Sequence, residues 1–145
     1  MKRSAVIMAL MLALTGLSQP ALADALAGSW LVEDGSSQIR FEPCGEKVCG
    51  RIAWLKDPMD PETGREIKDK NNPDEAQRGN KLLGLIIFKN LAANAGTWSG
   101  DVYNPDDGRT YSVKIRALAD GRLEVKGCAL AGIFCQSEIW TSTAN

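Results

Sequence analysis

The chain has 145 residues, 44% of them hydrophobic, which suits one domain with a single core. Its 17 Lys and Arg stand interspersed against 18 Asp and Glu, offering neither a basic stripe for nucleic acid nor a polybasic patch for anionic membranes. There is no histidine, which closes Ser-His and Cys-His nucleophilic schemes and histidine metal sites.

In chain order, Lys2 and Arg3 form a basic n-region, Ala5 to Leu17 an apolar h-region, and Ala21-Leu22-Ala23 a small-x-small cleavage site. Together they read as a secretory signal peptide over residues 1–23, with Ala25-Leu26-Ala27 as a second possible cleavage site. The apolar run falls short of the roughly 20 residues of a membrane span, and no comparable run follows. The expected mature domain, residues 24–145, is therefore soluble and periplasmic or secreted, with no membrane span and no nucleic-acid partner. No cysteine precedes Cys44, so an N-terminal lipidated cysteine is not expected.

A succession of β signals follows. GSWLVE (Gly28 to Glu33) leads through the turn Asp34-Gly35 to SQIRFEP, where Ile39 and Phe41 alternate with Gln38, Arg40 and Glu42 as in a half-buried strand. VCGRIAWL puts Val48, Ile52 and Trp54 on one face and leaves Arg51 on the other, where its alternation favours a solvent-facing charge over a partner for a buried carboxylate. KLLGLIIFKNL is apolar on both faces; Ile86-Ile87 and Gly84 favour a strand covered on each side over a buried helix. TWSGDVY, the turn NPDDG (Asn104 to Gly108) and RTYSVKIRAL come next, and Asp120-Gly121 joins the last of these to RLEVKG by a specific hairpin signal. CQSEIWT, with Trp140, closes the set. The pattern is all-β: an antiparallel up-and-down meander of about eight strands that closes into a small barrel, with a two-sheet sandwich as the competitor. Gly50, Gly84, Gly100 and Gly127 suit the coiling of a small barrel or mark bulges.

Compartment and spacing read the four cysteines. An even count in an exported chain favours disulfides. The spacings x4 and x6 are looser than zinc knuckles, and neither pair is the C-x-x-C of redox chemistry. In a meander, the turn holding Cys44 and Cys49 lies at the end opposite Cys128 and Cys135, so pairing is local: Cys44 with Cys49 and Cys128 with Cys135.

The same parity collects at one end the Asp34 turn, the long connection Lys56 to Asn80, the NPDDG turn and the Cys128 to Cys135 loop. A connection of that length is a lid, a docking segment or a solvated loop. A mouth at this end would have Asp69, Asn72, Arg78, Tyr103 and Arg109 as its nearest polar groups. Of the four tryptophans, Trp54 and Trp98 are candidates to line an apolar pocket, the bland alternative being core packing. No catalytic residue stands out: the pairs Asp57/Asp60 and Asp106/Asp107 sit in turn contexts where aspartate serves the backbone. Asp69-x-Asn71 begins like a calcium loop, but Pro73 stands where a further oxygen ligand is needed. No metal or other cofactor is expected.

The order G-x-W, then CGRIAWL, DKNNPDEAQR with LLGL, DVYNPDDGRTY and a late tryptophan resembles a family of small exported bacterial proteins known only as a domain of unknown function, from Gly28 to Trp140. The resemblance implies export and a calycin-like, lipocalin-like barrel, with no activity attached. The chain departs from the family where Ser142 stands in place of a basic residue after the last tryptophan. Three functions follow. The first is a binding module for a small hydrophobic or amphipathic ligand. The second is an envelope interaction protein with a filled barrel and a docking loop, and the third a carboxylate-dependent hydrolase. Ligand identity and oligomeric state are not encoded in any motif here.

Overall fold

The structure, a computed structural model, describes residues 23–143. The expected signal peptide lies, apart from Ala23, outside the described residues. A short helix α1 (Ala23–Leu26) precedes eight strands: β1 (Gly28–Leu31), β2 (Ser37–Cys44), β3 (Lys47–Leu55), β4 (Ile86–Asn94), β5 (Thr97–Asn104), β6 (Arg109–Ala117), β7 (Leu123–Ala129) and β8 (Phe134–Ser142). Each strand pairs antiparallel with the next, and β1 returns to β8 with Trp30 opposite Ser142 and Leu31 opposite Thr141. The sheet is thus a closed up-and-down barrel, which excludes the sandwich.

Local chemistry makes the meander. The Asp34 carboxylate accepts the Ser36 N–H at 2.8 Å and the Asp120 carboxylate accepts the Arg122 N–H at 3.1 Å, so each aspartate replaces a backbone partner at its turn. Inward positions carry the core. Leu26, Trp30, Leu91, Trp98, Ile115 and Leu123 are buried toward the end where α1 sits, and the Trp30 Nε1–H donates to the Leu26 carbonyl at 3.0 Å. That bond ties the segment before β1 under the barrel and closes this end.

Two of the irregular stretches overturn an expected face or strand start. Ile39 pairs with Ile52 while its neighbour Gln38 pairs with Trp54, so Ala53 is an extra residue on β3. A bulge of one residue exchanges faces. Leu55 accordingly packs on the core, and Trp54, expected beside Ile52, is 41% exposed. The second departure is at β4, which starts at Ile86 rather than Lys81. Residues 81–85 form a turn held to β3 by Gly84 N–H to Ile52 O at 2.8 Å and Ile52 N–H to Leu85 O at 3.0 Å. Leu82 and Leu85 of this turn pack against the core, which is why the segment is apolar on more than one face.

Cys44 pairs with Cys49 across the β2–β3 hairpin, and Cys128 with Cys135 across β7–β8 at the opposite end. The two disulfides are consistent with an extracellular or periplasmic location. Among the described residues no helix is long and apolar enough to cross a membrane.

Candidate functional site: a cavity at the open end of the barrel

The interior is filled unevenly. Phe41, Phe88 and Trp140 form a three-ring cluster, with Phe88 edge-on to Phe41 at 5.3 Å and to Trp140 at 5.7 Å between centroids. Gly50 makes room for it: a Cβ there would stand 2.7 Å from the Phe41 ring and 3.0 Å from Phe88 Cβ. Above Phe88 and Trp140 lies a cavity of about 670 Å³. Its walls come from strands β4 to β8, and its rim from the Asn104 to Asp107 turn and the β7–β8 loop.

The lining follows strand alternation. Phe134, Gln136, Glu138 and Trp140 face inward from β8; Val125, Gly127 and Ala129 from β7; Tyr111 and Val113 from β6; Val102 and Asn104 from β5. Small residues on β7 leave the space empty. Ile133 and Phe134 at the rim are largely exposed, as is neighbouring Leu130. The Trp140 Nε1–H donates to Glu138 Oε2 at 2.7 Å, which fixes one carboxylate oxygen over the aromatic floor. At the rim Asp107 accepts the Tyr111 hydroxyl and, at 2.9 Å, the Arg109 backbone N–H. The Tyr111 hydrogen bond, the largest effect, outweighs the opposing effect of burial and, helped by the Arg109 backbone bond and charge, holds the Asp107 carboxyl below the usual range. The reciprocal bond pushes Tyr111 up.

The long connection does not cover this mouth. It folds against the outer wall, where Asp69 is fully buried, accepting the Tyr103 hydroxyl at 2.6 Å and the Asn72 side-chain amide at 2.7 Å. Arg78 Nε donates to the Asn72 carbonyl at 2.8 Å, and the Asn71 amide donates to the carbonyls of Pro105 and Asp106 at 3.1 and 2.9 Å. The Asn71 carbonyl lies so close over Gly108 that a Cβ there would collide with it, and Gly108 also needs its φ of +70°. DKNN is therefore a clasp gripping the β5–β6 hairpin from outside. Burial and the Asp69 bond push the Tyr103 phenol up to about 12. A second, smaller recess of about 310 Å³ lies beside this clasp.

Of the seven residues expected at a ligand site, Asp69, Asn72, Arg78 and Tyr103 come together in the clasp, and Arg109 flanks Asp107 at the rim. Trp98 is buried 1% exposed among the core residues, its indole N–H without a partner, and Trp54 stands outside. None of the seven lines this cavity, while Asp69, Asn72 and Tyr103 line the recess beside the clasp. Gln136 and Glu138 do, and their signal was in the text: in FCQSEIWT they share parity with Trp140. The turn aspartates behave as turn residues, Asp60 accepting the N–H groups of Glu62 and Thr63 at 2.8 and 3.2 Å. Arg51 pairs with Glu42 on the outer face, its Nε donating at 2.7 Å.

No curated protein matches the sequence. Among solved structures, protein HP1028 from the human pathogen Helicobacter pylori, described as belonging to the lipocalin family, superposes with a TM-score of 0.69 at 21% identity, over 83% of this chain and 84% of that one. At that identity the likeness is one of fold. The features assembled above, the cysteine hairpin, the clasp, the hairpin it grips and the late tryptophan, all fall within residues 28–142, which match the model of uncharacterized proteins conserved in bacteria, and the chain belongs to that family, DUF2147.

Proposed function

We propose that this protein is an exported, non-catalytic binding module that carries a small hydrophobic or amphipathic molecule in its barrel. The observation that carries the reading is the cavity. About 670 Å³ lies within the ~300–1,000 Å³ usual for ligand sites, and an apolar body with a few converging polar groups is their usual lining. A lipocalin-like barrel open at one end and closed by Leu26 and Trp30 at the other supports it. The signal-like leader and two disulfides support export to the periplasm or beyond.

Native mass spectrometry of protein purified from the periplasm, before and after organic extraction, tests both parts. The expected result is an N-terminus near Asp24, two disulfides, and a one-to-one adduct that solvent removes. A clean apo mass together with a silent fluorescent-dye screen would discard the reading. The exposed Leu130, Ile133 and Phe134 favour a second reading, docking of the rim on an envelope partner, and that outcome would promote it.

A further inference from the structure

The cavity has a sign. Its lining includes two carboxylates, Asp107 and Glu138, and no Lys or Arg, and the chain has no histidine. Asp107 is offset by the neighbouring Arg109 and by the Tyr111 hydroxyl. Glu138 is not: among the described residues it takes part in no ion pair, and its one hydrogen bond is the Trp140 indole on Oε2, which leaves Oε1 free. Glu33, whose carboxylate accepts the Ile139 N–H at 2.7 Å, adds a further negative charge beside β8. Gln136, two residues from Glu138 on the same face, supplies an amide oxygen.

A carboxylate or phosphate head entering this site would meet the unpaired charge of Glu138, while Arg109 at the rim is already offset by Asp107. An ammonium head would find Glu138 as counter-ion, while its apolar body lay against Phe88, Val113, Val125 and Trp140. We infer that the cavity selects a primary or substituted amine carrying an apolar body, with Glu138 as its counter-ion; this rests on the cavity being the ligand site.

The test uses three probes with the same chain and different heads, dodecylamine, dodecanol and dodecanoate, titrated calorimetrically below their micellar concentrations into the disulfide-intact protein. Dodecylamine is expected to bind one-to-one about tenfold tighter than dodecanoate, with dodecanol between. Glu138→Gln keeps an acceptor for the Trp140 indole, so the fold should survive, which tryptophan emission checks. It should lower dodecylamine affinity about twofold to fivefold and leave dodecanol unchanged. Glu46→Gln, at the closed end, removes the same charge far from the cavity and should change nothing. Dodecanoate binding as tightly as dodecylamine, or Glu46→Gln weakening the amine as much as Glu138→Gln, would overturn the inference while leaving the cavity reading intact. Failure of all three probes to bind stoichiometrically would remove the cavity reading itself.

Discussion

The two ends of the barrel use the same strands differently. Toward α1, inward positions carry Leu26, Trp30, Leu91, Trp98, Ile115 and Leu123, all essentially withdrawn from solvent. At the far end the same faces carry Val102, Gly127, Ala129, Gln136 and Glu138, and a cavity opens. Eight strands enclose a lumen that side chains can just fill, so the size of the inward residue decides whether a layer is core or pocket. Stability then rests with the closed end and the proposed binding with the open one, and the aromatic cluster of Phe41, Phe88 and Trp140 is the boundary between them.

The strongest way to break that assignment is at the boundary. Phe88→Ala should cost ~3–5 kcal/mol, read from the midpoint of urea unfolding, whereas Val102→Ala at the cavity wall should cost under ~1.5. Equal losses would mean the open end is packed as tightly as the floor. Next come the staples: the paired replacements Cys44→Ser with Cys49→Ser, and Cys128→Ser with Cys135→Ser, should each cost ~2 kcal/mol through loop entropy. Only the second pair borders the cavity and should also weaken a bound dye; a dye indifferent to it would detach the β7–β8 loop from the site.

The clasp gives a smaller effect with a pH signature. Tyr103→Phe leaves the buried Asp69 short of one donor and should cost about 1.5 kcal/mol. Because the Tyr103 pKa is raised from 10 to about 12, the native state holds a proton that the unfolded chain releases. The corresponding stability is complete below pH 10 and is lost as pH rises through about 12. That difference caps the loss at ~2.7 kcal/mol, and solvent screening at a partly exposed hydroxyl brings it nearer ~1. Unfolding midpoints measured from pH 9 to 12 should fall more steeply in the parent than in Tyr103→Phe; parallel curves would show the clasp to be energetically idle. Smallest of all, Phe134→Ser at the rim should change stability by less than ~0.5 kcal/mol, since the ring is 65% exposed, yet loosen an apolar probe severalfold. A stability loss above ~2 kcal/mol would place Phe134 in the core instead.

How much of this was legible depends on distance along the chain. The turns Asp34-Gly35, NPDDG and Asp120-Gly121, the alternation within SQIRFEP and RTYSVKIRAL, and the local cysteine pairing all follow from groups a few residues apart. Where the outcome depended on a partner strand, the text was a poor guide. Trp54 has the same spacing from Ile52 as any inward residue, and only the extra Ala53 in the β2–β3 register turns it outward. Lys81 to Leu85 has the apolar content of a strand, yet its carbonyls and N–H groups serve a turn docked on Ile52. Asp69 and Tyr103 are 34 residues apart, and nothing in either neighbourhood says that they meet.

By itself, the sequence determined the eight-strand meander, its turns, its two staples and the end at which the long loops gather, because hydrophobic alternation and turn chemistry act over a few residues. Only the tertiary structure decided that the long connection clasps the outer wall and that the open end is hollow with a negatively charged lining. Those depend on which side chains meet across the closed barrel, and burial is a property of the assembled neighbours rather than of any one segment.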